Sequence, residues 1–494
     1  MDSDIILVID EGTTSTRAIA FDRAFNEVGM AQSEIGLSYP KDGWVEQDPA
    51  AIWSQTVDVC RSVINTIGGA DRIAGIGITN QRETSIIWDR ETGTSIAPAI
   101  IWQDRRTSAF CESLKADGHE ATVQSETGLL LDPYFSGSKI RWLLDNTPGA
   151  RDAAKVGKLA FGTVDSWLIW NLTSGKVHAT DVTNAARTLL WPLAIHPAEG
   201  WSDTMAALLD VPTSLLPTVL ASADRYGETD PALFGKAIPI FSAIGDQQAA
   251  LVGQGCLRPS TAKITFGTGA FLVANTGDTP PVSSNRLLAT AGYAVGDDRA
   301  FALEGSIFNA GTVVKWLRDD IGLIGNAAES EEKAAALADN GGVYMAPAFT
   351  GLGAPHWDAD ARGLICGLTR STRAEHLVRA GLEAAAYQTR DLLDAFVADG
   401  APVDVLKVDG GMAANNWLMQ FLADVCETPV ERPDYAEMTA LGAAACAGMM
   451  LGWTDANTWS ERVVPGRRFE PAMHTSQREE LLAGWKAALA RTTS

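Results

Sequence analysis

The chain has 494 residues, a length that corresponds to about two to four domains. Its 61 Asp and Glu residues outnumber its 39 Lys and Arg residues, and the formal net charge is −22. This excess of negative charge excludes a general basic surface for nucleic acid or an anionic membrane, so we expect no nucleic-acid partner. An anionic substrate would require a local cluster of positive groups.

The cysteines and the apolar stretches indicate the compartment. The six cysteines are scattered and form no Cys-x-x-Cys pair, which argues against a disulfide framework and a cysteine-rich zinc site. The apolar stretch 439–453 is shorter than the ~20 residues of a membrane span. The first residues lack the positive charge of a signal peptide. We therefore expect a cytoplasmic protein with no integral membrane segment.

The first predicted element is a β-hairpin over residues 5–22, the first hairpin. An apolar strand leads into Asp10, Gly12 and the hydroxyl residues 13–15, and a second strand covers residues 17–21. The exposed amides of such a turn bind anions, and a carboxylate at a strand end suits a hydrated Mg²⁺ beside phosphate oxygens. The pattern predicts a phosphate-binding turn with Asp10 as the metal ligand. An ordinary hairpin turn is the alternative.

Strand-like and helix-like segments alternate along the rest of the chain. Hydrophobic spacing predicts helices over residues 49–67 and 375–396, and strands over residues 73–79 and 86–89. Such alternation is typical of α/β domains with largely buried mixed sheets.

A second hairpin, over residues 261–278, repeats the plan of the first, with a Gly-Thr-Gly turn at 267–269. The recurrence predicts two related halves whose turns face each other across a cleft. Gly, Gln and Pro interrupt the pattern at 253–259, so we place the domains at 1–253 and 254–494.

A third glycine motif follows the predicted strand 405–409. Gly410 and Gly411 come directly after the strand, and a helix is predicted through residues 417–425. Glycines at this place allow a flat ring or a phosphate to approach the backbone closely. Asn415 is either the cap of this helix or a nucleotide contact, and both interpretations stay open.

Several familiar catalytic motifs are absent from the sequence. It contains no GxxxxGK[ST] loop, no complete dinucleotide fingerprint, no GxSxG elbow and no HExxH helix. Phosphoryl transfer through a different phosphate-binding turn therefore remains possible.

The two glycine–threonine hairpins and VDGGMAANN (408–416) resemble the phosphate and adenosine motifs of the actin, hexokinase and heat-shock chaperone superfamily. Within it, the chain resembles the FGGY carbohydrate kinases over essentially its whole length. The motifs that carry this resemblance are DEGTTSTRA (10–18), ITNQRET (78–84), WQDRRT (102–107), DPYFSGSK (132–139), FGTVDSW (161–167), GDQQAAL (245–251), FGTGAF (266–271), AFTGLGAPHWD (348–358) and VDGGMAANN. ITNQRET and DPYF resemble the members that phosphorylate glycerol rather than xylulose or gluconate.

This resemblance implies two actin-like (ribonuclease H-like) domains with mixed sheets flanked by helices, and with ATP and substrate in the cleft between them. It implies Mg²⁺-dependent, in-line transfer of the ATP γ-phosphoryl group to glycerol, giving sn-glycerol 3-phosphate, the first step of glycerol catabolism. Members of the family form dimers and tetramers, so we expect a homodimer or homotetramer.

The resemblance also assigns a substrate pocket. Arg82 and Glu83 would bind the glycerol hydroxyls, and Asp246 would be the general base. The further contacts implied are Gln247 and the aromatic residues Tyr134, Trp102 and Phe271. The structural alternatives are an exposed strand-end ion pair for Arg82 and Glu83, a helix N-cap for Asp246, and core positions for Trp102 and Phe271.

For the nucleotide, the residues implied by the resemblance are Thr13, Thr14, Ser15, Arg17, Thr268, Gly311, Gly411 and Asn415. Two positions depart from the family, which has glutamine at both. Lys315 is assigned to the nucleotide site, although its role, toward a phosphate or the ribose, is open. Glu11 would add negative charge beside the phosphates, with either weaker ATP binding or a preference for Mg²⁺ as the consequence, and the sequence alone does not decide between them.

Two other functions compete with glycerol phosphorylation. One is a kinase for another small polyol or ketose, such as erythritol, dihydroxyacetone or xylulose. The other, from a different class, is an actin-like ATPase that polymerises, although such a protein would have no need of a polyol pocket.

Overall fold

A computed structural model describes residues 3–194, 199–296, 298–358 and 360–492 of the chain. Its strands are β1 Ile5–Glu11, β2 Ser15–Asp22, β3 Glu27–Glu34, β4 Glu46–Gln47, β5 Ile73–Asn80, β6 Ile86–Asp89, β7 Ala99–Ile100, β8 Leu159–Gly162, β9 Ala179–Asp181, β10 Thr218–Leu220, β11 Ile240–Gly245, β12 Thr261–Phe266, β13 Ala270–Gly277, β14 Leu288–Val295, β15 Asp298–Ile307, β16 Tyr344–Ala346, β17 Leu364–Cys366, β18 Val405–Asp409, β19 Val430–Arg432 and β20 Arg467–Phe469.

Its α-helices are α1 Pro49–Thr66, α2 Ser108–Ala116, α3 Glu120–Thr127, α4 Ser136–Asn146, α5 Ala150–Lys155, α6 Val164–Leu172, α7 Val182–Ala185, α8 Asp203–Leu208, α9 Pro231–Phe234, α10 Asp246–Gly253, α11 Gly311–Asp319, α12 Glu329–Ala335, α13 Ala374–Ala398, α14 Asn416–Cys426, α15 Met438–Met450, α16 Ala456–Arg462 and α17 Thr475–Leu489. Short 3₁₀ helices cover Ala70–Arg72, Thr213–Leu215 and Gly411–Ala414.

Two mixed sheets organise the chain. The first sheet has the strand order β11-β5-β1-β2-β3, and the second sheet has the order β14-β15-β13-β12-β18-β19-β20. In the first, β1 runs antiparallel to β2 and parallel to β5. In the second, β12 runs antiparallel to β13 and parallel to β18, so the path β15-β13-β12-β18-β19 repeats β3-β2-β1-β5-β11. The prediction of two related halves is confirmed.

Local sequence explains the elements that were predicted. Every residue of β1 is buried, as expected for an apolar central strand covered on both faces. Helix α1 begins with Pro49, and the side chain of Asp48 caps it by accepting a hydrogen bond from Ala50 N. The predicted helices and strands agree with α1, α13, β5 and β6 to within two residues at each end.

Each half contributes one helix that packs against the sheet of the other half. Helix α10 follows a strand of the first sheet but lies against the second, where Gln248 Nε2 donates to Ala291 O at 3.2 Å. Helix α15 belongs to the second half but lies on the first sheet, where Ser242 Oγ donates to Ala443 O at 2.9 Å. The predicted boundary at 253/254 falls at the end of α10, and it stays a prediction.

The two exchanged helices meet at glycines. A Cβ on Gly253 would overlap the carbonyl oxygen of Met438, and a Cβ on Gly442 would overlap that of Ala249. Only hydrogen at both positions allows the backbones to approach this closely.

We expect the Gly442→Ala variant to lose about 1–3 kcal/mol of unfolding free energy, because the added methyl forces α10 and α15 apart and outweighs the higher helix propensity of alanine. Urea denaturation of the two proteins measures this difference. Gly36→Ala is the control, since a Cβ there meets nothing within 4 Å, and it should change stability by less than about 0.5 kcal/mol. Equal stabilities for both variants would show that the helix crossing tolerates a side chain.

Two expectations about composition can be compared with the structure. In the part of the chain that the structure describes, no helix combines the length and apolar character needed to cross a membrane. All six cysteines are unpaired, and five of them are buried.

Candidate active site

The predicted site residues meet at one edge of the first sheet. Strands β1, β5 and β11 are adjacent and parallel, so their carboxyl ends lie together. Asp10 stands at the end of β1, Arg82 and Glu83 follow β5, and Asp246 follows β11. Residues far apart in sequence therefore form a single polar site.

Arg82 is buried, with 3% of its surface exposed. Its Nη1 and Nη2 donate to the two carboxylate oxygens of Glu304 at 2.6 and 3.0 Å, and Nη1 also donates to Gln248 Oε1 at 3.1 Å. Its Nε lies 3.3 Å from Asp246 Oδ1. The alternative of an exposed strand-end ion pair with Glu83 is therefore wrong.

Glu83 occupies a tight turn directly after Arg82. Its φ of 63° lies in the left-handed region, which is unusual for a residue with a side chain, and Thr84 N donates to Arg82 O at 2.8 Å across the turn. The Glu83 carbonyl accepts from Lys139 Nζ at 3.2 Å, and its carboxylate accepts from Arg187 Nε at 2.6 Å. Surrounding contacts thus hold a strained backbone in place.

Three half-buried aromatic rings form a wall beside these charges. The ring of Trp102 contacts those of Tyr134 and Phe271 edge to face, with centroids 5.9 and 6.2 Å apart. Trp102 Nε1 also donates to Thr13 Oγ1 of the first hairpin at 2.9 Å, whereas Phe271 lies just after the turn of the second hairpin. Trp102 therefore brings the two hairpins together across a shared cleft.

Asp246 is the first residue of α10, and Gly245 occupies the N-cap position. The Asp246 carboxylate accepts from Gln247 N at 2.7 Å, so it satisfies a donor of the first helical turn and is not itself the N-cap. Its side chain is 30% exposed, which leaves it open to the cleft. The neighbouring Gln247 accepts a hydrogen bond from the buried Lys263.

The turns of the two hairpins have well-defined backbone contacts. In the first, Gly12 N donates to Ser15 O at 2.9 Å, and Thr14 is exposed. In the second, Gly311 N donates to Gly267 O at 3.0 Å, which seats the start of α11 on the turn. A Cβ on Gly311 would overlap Gly267 O, so glycine is required there. Thr268 remains exposed at the tip of this turn.

The double-glycine motif lies beside the second hairpin. Gly410 has a φ of 87° and packs against Phe266 O so closely that a Cβ would overlap it. A Cβ on Gly411 would meet nothing within 4 Å, so the surface in front of it is open. Asn415 Oδ1 accepts from Leu418 N at 2.9 Å and caps α14, which confirms the capping interpretation. A nucleotide contact of Asn415 stays a prediction.

The two basic residues assigned to the nucleotide differ in their surroundings. Arg17 Nη2 lies 3.0 Å from Asp10 Oδ2, and its Nη1 lies 2.5 Å from Glu437 Oε2 at the start of α15. Lys315 is exposed on α11, one turn after Gly311 and on the same face.

Asp10 has the features of a metal ligand that works together with phosphate oxygens. Its Oδ2 is buried and has no hydrogen-bond partner, although the Arg17 guanidinium is close. Burial raises the pKa of Asp10 to about 6, against the opposing effect of Arg17 and with support from the nearby Glu437 and Asp246 carboxylates. No cluster of three metal-binding side chains occurs among the described residues. A single carboxylate fits Mg²⁺, which keeps several waters and binds phosphate oxygens.

Glu11 is fully buried, which argues against the expected negative charge beside the phosphates. Its side chain turns toward α1, where Thr56 Oγ1 donates to its Oε2 at 3.2 Å. Burial raises the pKa of Glu11 to about 8. This raised pKa favours the uncharged form of the carboxyl, which resembles the glutamine that the family has there.

We expect Glu11→Gln to change the KM for ATP by less than about twofold at pH 7, because the side chain is neutral in both proteins. Stability should respond to pH instead. At pH values between the ordinary pKa of a glutamate and about 8, the Glu11 carboxyl holds a proton in the folded wild type but not in the unfolded chain. The unfolding free energy of the wild type therefore falls as pH rises through this range, by up to about 1.4 kcal/mol per pH unit. The variant lacks this slope. Urea denaturation of both proteins from pH 5 to 9 measures the difference, and parallel profiles would refute the neutral carboxyl.

Several charged residues of the site were missed from the sequence. They are Lys139, Arg187, Lys263 and Glu304, all of them buried. One sequence feature could have identified them, namely a charged residue within a segment that is otherwise apolar or made of small residues. Examples are Lys263 in TAKITF and Glu304 in AFALEGSI. Such placement requires a buried partner, although it does not identify the partner.

A duplicated sheet, a hairpin turn from each half and a buried polar pocket between them define a two-domain kinase fold. Residues 5–253 match the N-terminal domain of the FGGY family of carbohydrate kinases, and residues 262–451 match its C-terminal domain. The chain belongs to this family.

Named relatives extend over the whole chain. It is 55% identical to the glycerol kinase of Rhodospirillum centenum, over 99% of this chain and 98% of that protein. It is 52% identical to glycerol kinase 1 of Pseudomonas aeruginosa, over 100% and 99%. The crystal structure of Plasmodium falciparum glycerol kinase with ADP matches with a TM-score of 0.93 at 35% identity, over 99% of this chain and 98% of that chain. The predicted α/β fold of two domains with mixed, helix-flanked sheets is confirmed.

Proposed function

We propose that the protein transfers the γ-phosphoryl group of ATP to a primary hydroxyl of glycerol, giving sn-glycerol 3-phosphate and ADP, as the first step of glycerol catabolism. The observation that carries this proposal is the convergence of Arg82, Glu83 and Asp246 beside an aromatic wall at the cleft. The full-length similarity to glycerol kinases supports it.

The pocket has the chemistry of a polyol site. A polyol both donates and accepts hydrogen bonds, and Arg82 supplies only donors whereas an ionised Glu83 supplies only acceptors. Tyr134 adds a hydroxyl and a wall, Gln247 adds an amide, and the Trp102 and Phe271 rings cover the carbon backbone. A site built from such groups rejects analogues that lack the hydroxyls.

Asp246 is the proposed general base, and it accepts the proton of the attacking primary hydroxyl. Arg82 Nε, 3.3 Å from Asp246 Oδ1, fixes the direction of that carboxylate. Phosphoryl transfer depends mainly on position and charge stabilisation, so the base need only accept the proton as the new bond forms. Phe271 closes the pocket on the side of the second half.

The two hairpins and the double-glycine motif form the proposed nucleotide site. Backbone amides and hydroxyls of both turns hold the phosphates, and Lys315 of α11 contributes a positive charge. The open surface at Gly411 takes the adenosine. The residues in this site are Thr13, Thr14, Ser15, Arg17, Thr268, Gly311, Lys315, Gly411 and Asn415.

Asp10 is the proposed ligand of Mg²⁺. When bound, the ion neutralises negative charge on the phosphate oxygens. Arg17 lies against the same carboxylate and holds it at the mouth of the first hairpin.

Product analysis tests the proposed function. After reaction with Mg-ATP and glycerol, a stereospecific sn-glycerol-3-phosphate dehydrogenase should oxidise the whole product. A product that this enzyme leaves untouched would contradict the proposed position of transfer. ATP hydrolysis that ignores every acceptor, together with filament formation, would favour the actin-like ATPase instead.

We also propose that the protein acts in the cytoplasm as a homodimer or homotetramer. Light scattering measures the molar mass of the particle in solution, which should be two or four times the chain mass of 52.5 kDa. A mass of one chain would contradict it.

A further inference from the structure

Beneath the pocket lies a cluster of four buried charged side chains. We name it the arginine–glutamate cluster, and its members are Arg82, Glu83, Arg187 and Glu304, each 3% exposed or less. Two arginines and two glutamates balance in charge. A buried charge is tolerated when it is paired and hydrogen-bonded, and each member of this cluster is paired with another member, although Arg187 Nη1 has no hydrogen-bond partner.

Glu304 is the centre of the cluster. Its carboxylate accepts both hydrogen bonds of the Arg82 fork, and its Oε1 lies 3.3 Å from Arg187 Nη2. Burial alone would raise the pKa of Glu304, but the two arginines lower it to about 2. The two arginines therefore favour the ionised form of the carboxylate.

Arg187 is the second link. Its Nε donates to Glu83 Oε1 at 2.6 Å, and its guanidinium lies over the Tyr134 ring, 5.3 Å from the centroid. One arginine thus contacts a carboxylate and a ring that both belong to the acceptor pocket.

The members of the cluster come from different parts of the fold. Arg82 and Glu83 follow the first sheet, and Arg187 follows α7. Glu304 belongs to β15 of the second sheet, where it pairs in register with Val273 of β13. Glu304 of the second half therefore holds Arg82, a side chain that the first half supplies to the pocket.

We propose that Glu304 and Arg187 are positioning residues of the acceptor pocket. Glu304 holds the Arg82 guanidinium, and Arg187 holds the Glu83 carboxylate, in the orientation that receives the acceptor before it arrives. This inference rests on the proposed function. Groups ordered in advance lose little freedom on binding, so the cluster acts on the affinity for glycerol and not on the affinity for ATP.

The test compares Glu304→Gln and Arg187→Lys with the wild type in steady-state assays with Mg-ATP and glycerol. Glutamine removes the charge that pairs with Arg82, and lysine keeps the charge of Arg187 but lacks the fork that reaches two carboxylates. We expect the KM for glycerol to rise about 10-fold or more in each variant, with the KM for ATP changed by less than about twofold.

Glu383→Gln is the matched control. It removes the charge from a buried Arg379–Glu383 pair, with Nε and Oε1 2.7 Å apart, inside the second half and away from the pocket. This variant should lose stability to urea as Glu304→Gln does, but it should keep the wild-type KM for glycerol. A merely structural role of Glu304 would make the two variants alike in both measurements.

Three results would overturn the proposal. They are an unchanged KM for glycerol in both cluster variants, equal rises in the KM for glycerol and for ATP, or the same rise in the control. If Glu304→Gln fails to fold, Glu304→Asp replaces it and the same criteria apply. Aspartate keeps the negative charge, but its shorter side chain holds the carboxylate farther from Arg82. A wild type that glycerol does not stimulate would instead reject the proposed function itself, and this inference with it.

Discussion

The Asp246→Asn variant is expected to turn over glycerol about 10²–10⁴-fold more slowly than the wild type, the usual contribution of a general base. Asparagine keeps the size of the side chain and the hydrogen bond from Gln247 N, but it cannot take the proton of the attacking hydroxyl. ATP binding should be unchanged, because the hairpins and the double-glycine motif do not depend on this carboxylate. An assay of ADP release measures turnover, and calorimetric titration with a non-hydrolysable ATP analogue measures nucleotide binding separately.

Asp455→Asn is a control for the same chemical change at the start of a helix. Asp455 caps α16 by accepting from Thr458 N at 2.9 Å, and asparagine caps helices about as well. This variant should keep wild-type turnover. Near-wild-type turnover in Asp246→Asn would remove Asp246 from the role of base.

The Arg82→Met variant is expected to combine a large loss of activity with a large loss of stability. Methionine is unbranched and fills much of the same space, but it leaves Asp246 without its ion pair and Glu304 with one arginine in place of two. We expect the unfolding free energy to fall by about 3–5 kcal/mol, as when one partner of a buried pair is removed. The value of kcat/KM for glycerol should fall by about 10³-fold or more, because the pocket loses its fixed donor.

Arg379→Met separates the two effects. It breaks the buried pair with Glu383 and should therefore reduce stability by a comparable amount, measured by urea denaturation, while kcat/KM for glycerol changes little. If Arg82→Met loses stability but keeps its activity toward glycerol, Arg82 is a structural residue and not a substrate contact.

The predictable part of the fold depends on local sequence. The two hairpins could be recognised because a glycine–threonine turn between apolar strands is a signal within one short segment. The helix cap at Asn415 was likewise readable, since its partner, Leu418 N, lies three residues away. The recurrence of this plan predicted two related halves, although it did not predict the order of the remaining strands in either sheet.

The unpredictable part depends on contacts between distant residues. Glu304 lies 222 residues from Arg82 in sequence, and nothing local indicates which arginine it pairs with. The packing of α10 and α15 on the opposite sheets was likewise not predictable from local sequence. The need for glycine at 253 and 442 is visible only in the tertiary structure, where the two helices cross. At Glu11 the residue type suggested a charge, and its burial, which only the tertiary structure shows, raises its pKa and favours the uncharged form.

The central claim is that this pocket accepts glycerol, and ADP release with different acceptors tests it most directly. The assay uses Mg-ATP with no acceptor, glycerol, dihydroxyacetone, erythritol or xylulose at equal concentrations. Glycerol should stimulate ADP release far above the rate without acceptor, and more than each of the other compounds. A rate that is the same with and without acceptor, or a higher rate with another compound, would contradict the assignment.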